Sequence, residues 1–286
     1  MRFAKGHGTG NDFVILPDPD GLLDLSAELV ARICDRHMGL GGDGVLRVVR
    51  TAAAGTQVPA GQTAEWFMDY RNADGSLAEM CGNGVRVFAR YLLDEGLAAG
   101  PELAVATRAG LRLVREEDDG QLTVDMGGAL VRGNGEVQLG DQRLAGLAIS
   151  VGNPHLACVV AEPVAGIDLS APRLLAPGGQ PDGVNVEVLR ITGEHEIEMR
   201  VHERGSGLTL SCGTGAVAAA VAAAVATGDW LAGRELPWNV RVPGGRLVVT
   251  PSATASLLTG PAQIVASGEL SASWLAGLSP AGAPID

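Results

Sequence analysis

The run AVAAAVAAAVA at residues 216–226 is the tightest constraint in this sequence. Wound as a helix it is apolar on every side, and such a helix is stable only where it is buried all round. It is far short of the roughly 20 residues that span a bilayer, so the cover must come from the protein itself. A second helical stretch, VRVFARYLLD at 85–94, is amphipathic, with arginines set among apolar residues. Short strand-like segments bounded by Gly, Pro and Asp fall at 13–16, 44–50, 111–115, 122–126, 157–160, 184–189, 197–202 and 246–250. Central helices wrapped by strands make an α+β fold.

Three short blocks recur in the same order. GND at 10–12 is answered by GNP at 152–154, DGV at 43–45 by DGV at 182–184, and CGNG at 81–84 by CGTG at 212–215. The offsets are 142, 139 and 131 residues, which points to a duplication with a period far too long for a solenoid. The expected architecture is two pseudo-symmetric domains, each a strand-rich, barrel-like sheet wrapped around a central helix. The active site would lie in the interdomain cleft. The expected halves are 1–130 and 131–267, joined near GGALVRGNG at 127–135, with a segment from about 268 to 286 returning to the first half. The tail SPAGAPID at 279–286 reads as unstructured.

Composition removes several functions. A formal net charge of −12 without a basic cluster argues against nucleic acid and anionic membranes, and 3% aromatics leaves few platforms for stacking bases. The start MRFAKGHGTGNDF has no apolar signal-peptide core, so a cytoplasmic protein is expected. The four cysteines, Cys34, Cys81, Cys158 and Cys212, form no CxxC pair, so neither a zinc site nor a disulfide framework is expected. Lys5 is the sole lysine and thus the sole candidate for a Schiff base.

Each CG[NT]G block is a Gly-rich turn that opens a helix. Amides at a helix N-terminus are unpaired and partly positive, so the turn suits an anion such as a carboxylate. The same field favours the thiolate of a cysteine placed there. A lone cysteine is ordinarily a small core residue, and Cys34 and Cys158 read that way. Building the device twice, at Cys81 and Cys212, argues for chemistry instead. Two thiols across one substrate can take a proton from one face and deliver one to the other, which is a racemase or epimerase without cofactor.

The chain resembles the diaminopimelate epimerase family, PLP-independent enzymes that convert LL-diaminopimelate into the meso form. The likeness is carried by KGHGTGNDFVIL, GLGGDGV, NADGSLAEMCGNGVRVFARYL, VGNPHLA, NVEVL, RVHERGSGLTLSCGTGAVAAAV and VPGGRLVV, in the family's order. The resemblance implies that Cys81 and Cys212 are the acid/base pair, and that His155 and Glu203 support catalysis. It implies that Gly82 with Asn83, and Gly213 with Thr214, bind the reacting carboxylate. Asn11, Asn72, Asn153, Asn185, Glu203 and Arg204 match substrate-binding positions. It further implies a homodimer, no metal and no cofactor, and a place in lysine and peptidoglycan precursor biosynthesis.

Two positions depart from the family pattern: Gly44 stands where some members carry a substrate-contacting Gln, and His202 where an aromatic often precedes ERG. Three rivals remain at this stage. One is a proline or hydroxyproline racemase, one a non-catalytic binding protein of the same fold, and one a PLP racemase resting on Lys5.

Overall fold

The computed structural model describes residues 1–175 and 183–277. Asp182, which opens the second DGV block, and the tail 279–286 lie outside the described residues. The first half runs β1 (Arg2–Gly8), β2 (Asn11–Pro17), α1 (Ala27–Cys34), β3 (Gly44–Arg50), β4 (Trp66–Asn72), α2 (Gly82–Asp94), β5 (Glu102–Thr107), β6 (Gly110–Glu116) and β7 (Leu122–Asp125). The second runs β8 (Leu130–Leu139), β9 (Gln142–Ser150), β10 (Pro154–Val159), β11 (Arg173–Leu174), β12 (Asn185–Gly193), β13 (Glu196–Glu203), β14 (Gly207–Thr209), α3 (Gly213–Thr227), β15 (Trp238–Val242), β16 (Gly245–Thr250) and β17 (Leu257–Gly260). The chain then continues into β18 (Gln263–Glu269) and α4 (Ala272–Ala276).

Strand pairing repeats between the halves, as the sequence blocks do. β2 and β3 run parallel with Phe13 opposite Gly44, and β10 and β12 run parallel with His155 opposite Asn185. The order continues in step: β3–β4 antiparallel, β4–β5 parallel and β5–β6 antiparallel are matched by β12–β13, β13–β15 and β15–β16. Antiparallel pairing of β7 with β17, Leu257 opposite Asp125, joins the two sheets. β18 pairs along β1, from Arg2 opposite Glu269 to His7 opposite Gln263.

Each sheet wraps one helix. Residues 213–224 of α3 are all buried, and its alanines let the strands approach closely. Gly228, in the left-handed region at φ 84°, caps its end by donating its amide to the Val225 carbonyl. In α2 the buried face includes Val85, Val87, Phe88, Tyr91 and Leu92, and Arg86 is buried with them.

The boundary stretch 127–135 runs into the first strand of the second half. β8 begins at Leu130, and Gly133, at φ 137°, sits at a bulge in the β8–β9 ladder. Val137 and Leu139 then turn into a core, which is what makes the segment a strand. No helix among the described residues is long and apolar enough to cross a membrane.

Candidate active site

The two cysteines are the N-caps of the two central helices. Cys81 has φ −140° and ψ 122°, Cys212 has φ −126° and ψ 120°, and each is extended before its helix begins. Each sulfur accepts the amide three residues on, Gly84 N or Gly215 N, at 3.4 Å. The two helix starts abut: a Cβ added at Gly213 would lie 3.2 Å from Gly82 Cα and 3.5 Å from Asn83 N. The first-turn amides of Gly82, Asn83, Gly213 and Thr214 therefore share one place, the makings of a cradle for a carboxylate.

Asn11 and Asn83 knit the first turn to the second. Asn83 Nδ2 donates to the Ser211 carbonyl at 3.1 Å and to Asn11 Oδ1 at 3.3 Å, and Cys81 Sγ lies 3.5 Å from that same oxygen. Asn11 is oriented from behind, its Nδ2 donating to Asp43 Oδ2 at 2.7 Å. Thr9, at φ 49°, donates its hydroxyl to Ser211 Oγ at 2.7 Å.

Around Cys212 the partners are acidic. His155 Nδ1 lies 2.7 Å from Glu187 Oε1 and its Nε2 lies 3.0 Å from Asn153 Oδ1. Asn153 Nδ2 also reaches Thr214 Oγ1 at 3.3 Å, tying it to the cysteine turn. Glu203 accepts the Thr209 hydroxyl and lies near Cys212. Arg204 follows on the turn into β14, its amide donating to Asn185 Oδ1 at 2.8 Å.

Burial, not the helix field, dominates the thiols. It pushes Cys81 up to about 11, against the opposing Gly84 amide. Cys212 is raised well above its ordinary value, because burial is joined by the nearby Glu203 and Glu187 carboxylates. Both carboxyls are themselves raised by burial. The expectation of favoured thiolates is not met at either sulfur, where burial outweighs the partial charges of the amides. Cys34 and Cys158 are buried and raised by burial as well, to about 11 and about 12.

The remaining candidates fall nearby or at the rim. Asn72 ends β4 opposite Gly44, with Nδ2 on Ser76 Oγ at 3.0 Å. A side chain at Gly44 has no room: its Cβ would meet the Arg71 carbonyl at 2.4 Å and the Tyr70 ring at 2.8 Å. His202 faces away from the cysteine turns and holds the Leu169 carbonyl at 2.8 Å. Lys5 is held by Asp12 at 2.5 Å and by the Gly41 carbonyl. Among the described residues no cluster of three or more His, Cys, Asp or Glu could hold a metal ion. A cavity of about 860 Å³ between the β8–β9 hairpin and the end of α3 contains none of the candidates.

Four residues at the site escaped the sequence reading: Asp43, Arg86, Glu187 and Ser211. Glu187 left a signal, a lone acid inside the strand sequence NVEVL, where it proves fully buried.

A profile of the diaminopimelate epimerase family matches residues 3–131 and 147–265. The chain is 57% identical over 279 residues to the diaminopimelate epimerase of Thermobifida fusca, covering 96% of this chain and 100% of that one. It is 52% identical over 283 residues to that of Streptomyces coelicolor, covering 97% and 98%. A solved hydroxyproline epimerase from Agrobacterium vitis aligns with a TM-score of 0.67 and 16% identity, over 94% of this chain and 91% of that one. A phenazine biosynthesis protein from Enterococcus faecalis gives 0.66 and 15%, over 94% and 98%; such distant likenesses carry the two-domain α+β fold alone. With the family profile matched across both halves and relatives more than half identical over nearly the whole length, this chain belongs to the diaminopimelate epimerase family.

Proposed function

We propose that the chain interconverts LL- and meso-diaminopimelate without a cofactor, with Cys81 and Cys212 as an acid/base pair. One observation carries this reading: two cysteines, one per half, cap two buried helices whose starts abut at Gly82 and Gly213. A carboxylate bound by the amides of both turns sets its α-carbon between the two sulfurs. One sulfur then takes the α-proton while the other delivers a proton to the opposite face. The amides and helix N-termini stabilise the negative charge that spreads onto the carboxylate.

The other assignments follow in the same terms. Asn11, Asn153 and Asn185 orient the reacting end, with Asn72 at the rim. His155 and Glu203 support the acid/base step. Arg204, with its planar fork, takes the distal carboxylate, and Glu203 meets a substrate ammonium. Commitment of Lys5 to Asp12 supports a reaction that needs no Schiff base. The halves are 1–130 and 131–267, with the segment from about 268 returning to the first half; pairing of β18 along β1 supports that return. We further propose a cytoplasmic homodimer serving lysine and peptidoglycan precursor biosynthesis.

The test is exchange of the α-hydrogen in heavy water with LL-diaminopimelate and, separately, with proline. Exchange with diaminopimelate is expected. Exchange with proline alone would make the chain a proline-type racemase, and exchange with neither would leave a binding scaffold.

A further inference from the structure

The duplication breaks at one buried charge. Five residues after each cysteine stand Arg86 in the first half and Val217 in the second, and both are fully buried. A buried guanidinium ordinarily faces a carboxylate. Arg86 faces none among the described residues. Its donors reach Asn83 Oδ1 at 2.8 Å and the carbonyls of Gly82 and Pro261 at 3.5 Å, and the charged neighbour acting on it is Cys81. The space is kept open by absent side chains. A Cβ at Gly8 would come within 3.2 Å of a guanidinium nitrogen, and one at Gly260 within 3.5 Å of the guanidinium carbon.

The charges around the two sulfurs are therefore unlike. Cys81 is faced by Arg86 from α2, Glu203 from β13 and Tyr70 from β4. Cys212 is faced by Glu203, by Glu187 from β12 and by Tyr70, with His155 from β10 set against Glu187. Glu203 acts on both sulfurs; the Arg86 cation opposes it only at Cys81, whereas Glu187 adds to it only at Cys212. Arg86 also grips the amide oxygen of Asn83, whose nitrogen bridges Ser211 and Asn11, so it orders the contact between both turns.

We infer that Arg86 is a positioning residue that makes the cysteine pair electrostatically unequal. It holds the negative charge of the resting pair on Cys81 and locks the two turns together through Asn83. The inference rests on the two-cysteine reading given above. In that cycle the Cys81 thiolate takes the α-proton and the Cys212 thiol gives up its own. The product leaves with the charge on Cys212, beside Glu203 and Glu187. A proton passed back from Cys81 to Cys212 through solvent resets the pair.

The experiment follows iodoacetamide alkylation of each cysteine against pH in the whole protein, by peptide mapping. In the wild type Cys81 is expected to react with the lower midpoint. Arg86→Met should raise the Cys81 midpoint by about one pH unit, a tenfold loss of thiolate below it, and leave Cys212 in place. Arg86→Lys keeps the charge without the fork, so Cys81 should still react first while kcat falls. A wild type in which Cys212 titrates first, or an Arg86→Met protein with both midpoints unmoved, would overturn the inference. If Arg86→Met does not fold, the wild-type order and Arg86→Lys decide. Turnover by Cys81→Ala or Cys212→Ala would defeat the two-cysteine reading itself. Inactive alanine variants with unmoved midpoints in Arg86→Met would defeat the role of Arg86 alone.

Discussion

His155 Nδ1 and Glu187 Oε1 lie 2.7 Å apart with neither side chain reaching solvent. The carboxylate fixes the imidazole ring from one side while Asn153 takes the other ring nitrogen. The second carboxyl oxygen, Oε2, has no hydrogen-bond partner among the described residues, an expense that a purely structural pair has no reason to keep. Glu187 thus orients the histidine beside the second cysteine turn.

Glu187→Gln keeps the shape and an acceptor for the ring but removes the charge. Its kcat should fall at least tenfold with little loss of stability. Glu187→Ala leaves His155 buried without its partner and should cost about 3–5 kcal/mol in urea denaturation. The pH dependence has a definite sign. Burial raises the Glu187 carboxyl in the folded state, so its ionisation disfavours folding as pH climbs above the ordinary carboxylate range. Wild-type stability should therefore decline in that window relative to Glu187→Gln. Parallel curves for the two proteins would show that the carboxyl carries no such penalty.

Of the four thiols, only two should matter to turnover. Cys81→Ala and Cys212→Ala should each lose at least a hundredfold in kcat, the usual scale of a lost acid or base. Cys34→Ala and Cys158→Ala should epimerise normally. Both are buried, so they should lose about 1 kcal/mol to the small cavity left behind. Chiral chromatography of the product, with Tm measured alongside, separates the two classes.

Much of this site was legible because its signals are local. A cysteine followed by two glycines and a helix carries its chemistry within a few residues, and the second copy at Cys212 gave the duplication away. Residues whose meaning depends on remote neighbours stayed hidden. Asp43 holds Asn11 from the bend just before β3, and Glu187 meets its partner only because β10 brings His155 to it. The thiol shifts went the other way from expectation because helix fields can be read from a motif, whereas burial cannot.

The glycines of the two cysteine turns differ in what they leave room for. A Cβ at Gly84 meets nothing closer than 3.4 Å, which is ordinary contact. At Gly215 it would come within 2.8 Å of Glu187 Oε1 and 3.2 Å of Cys212 Cβ. Gly84→Ala should be neutral or slightly stabilising, since alanine favours a helix by about 0.8–1 kcal/mol over glycine. Gly215→Ala should displace Glu187 and cut kcat more than it changes Tm. Equal behaviour of the two variants would deny that the carboxylate packs against the turn.

Asp12 predicts how the protein meets acid. Burial alone would raise its carboxyl, but hydrogen bonds from Arg36 and Lys5 hold it at about 2, below the usual 3.8. A carboxyl lowered on folding stabilises at pH above its unfolded value, and that gain is lost as pH falls through the folded one. After allowance for solvent screening the gain is about 1–2 kcal/mol. Wild-type stability should drop between pH 4 and 2 more steeply than that of Asp12→Asn, because only the wild type has this proton to take up. Guanidine denaturation at several pH values measures the difference.

Arg204 tests the specificity assignment. It leaves β13 at a turn where Gly205, at φ 82°, and Gly207, at φ 74°, adopt conformations that a side chain would strain. Its backbone is anchored to Asn185, and its side-chain carbons pass 3.6 Å from where a Cβ at Gly183 would stand. The anchor uses the main chain, so Arg204→Ala should keep the hairpin and lose only the side chain. Arg204 is exposed in the free protein and becomes a buried charge partner only once substrate covers it; truncating such a partner typically costs about 2–5 kcal/mol, so kcat/KM for diaminopimelate should fall by roughly thirtyfold or more. Arg204→Lys should recover part of the loss, since a point charge cannot match the two-pronged contact of a guanidinium with a carboxylate. Asn185→Ala frees the main-chain anchor and should raise KM while Arg204 is still present. If Arg204→Ala turned over diaminopimelate within a few-fold of wild type, the distal carboxylate would have to be held elsewhere.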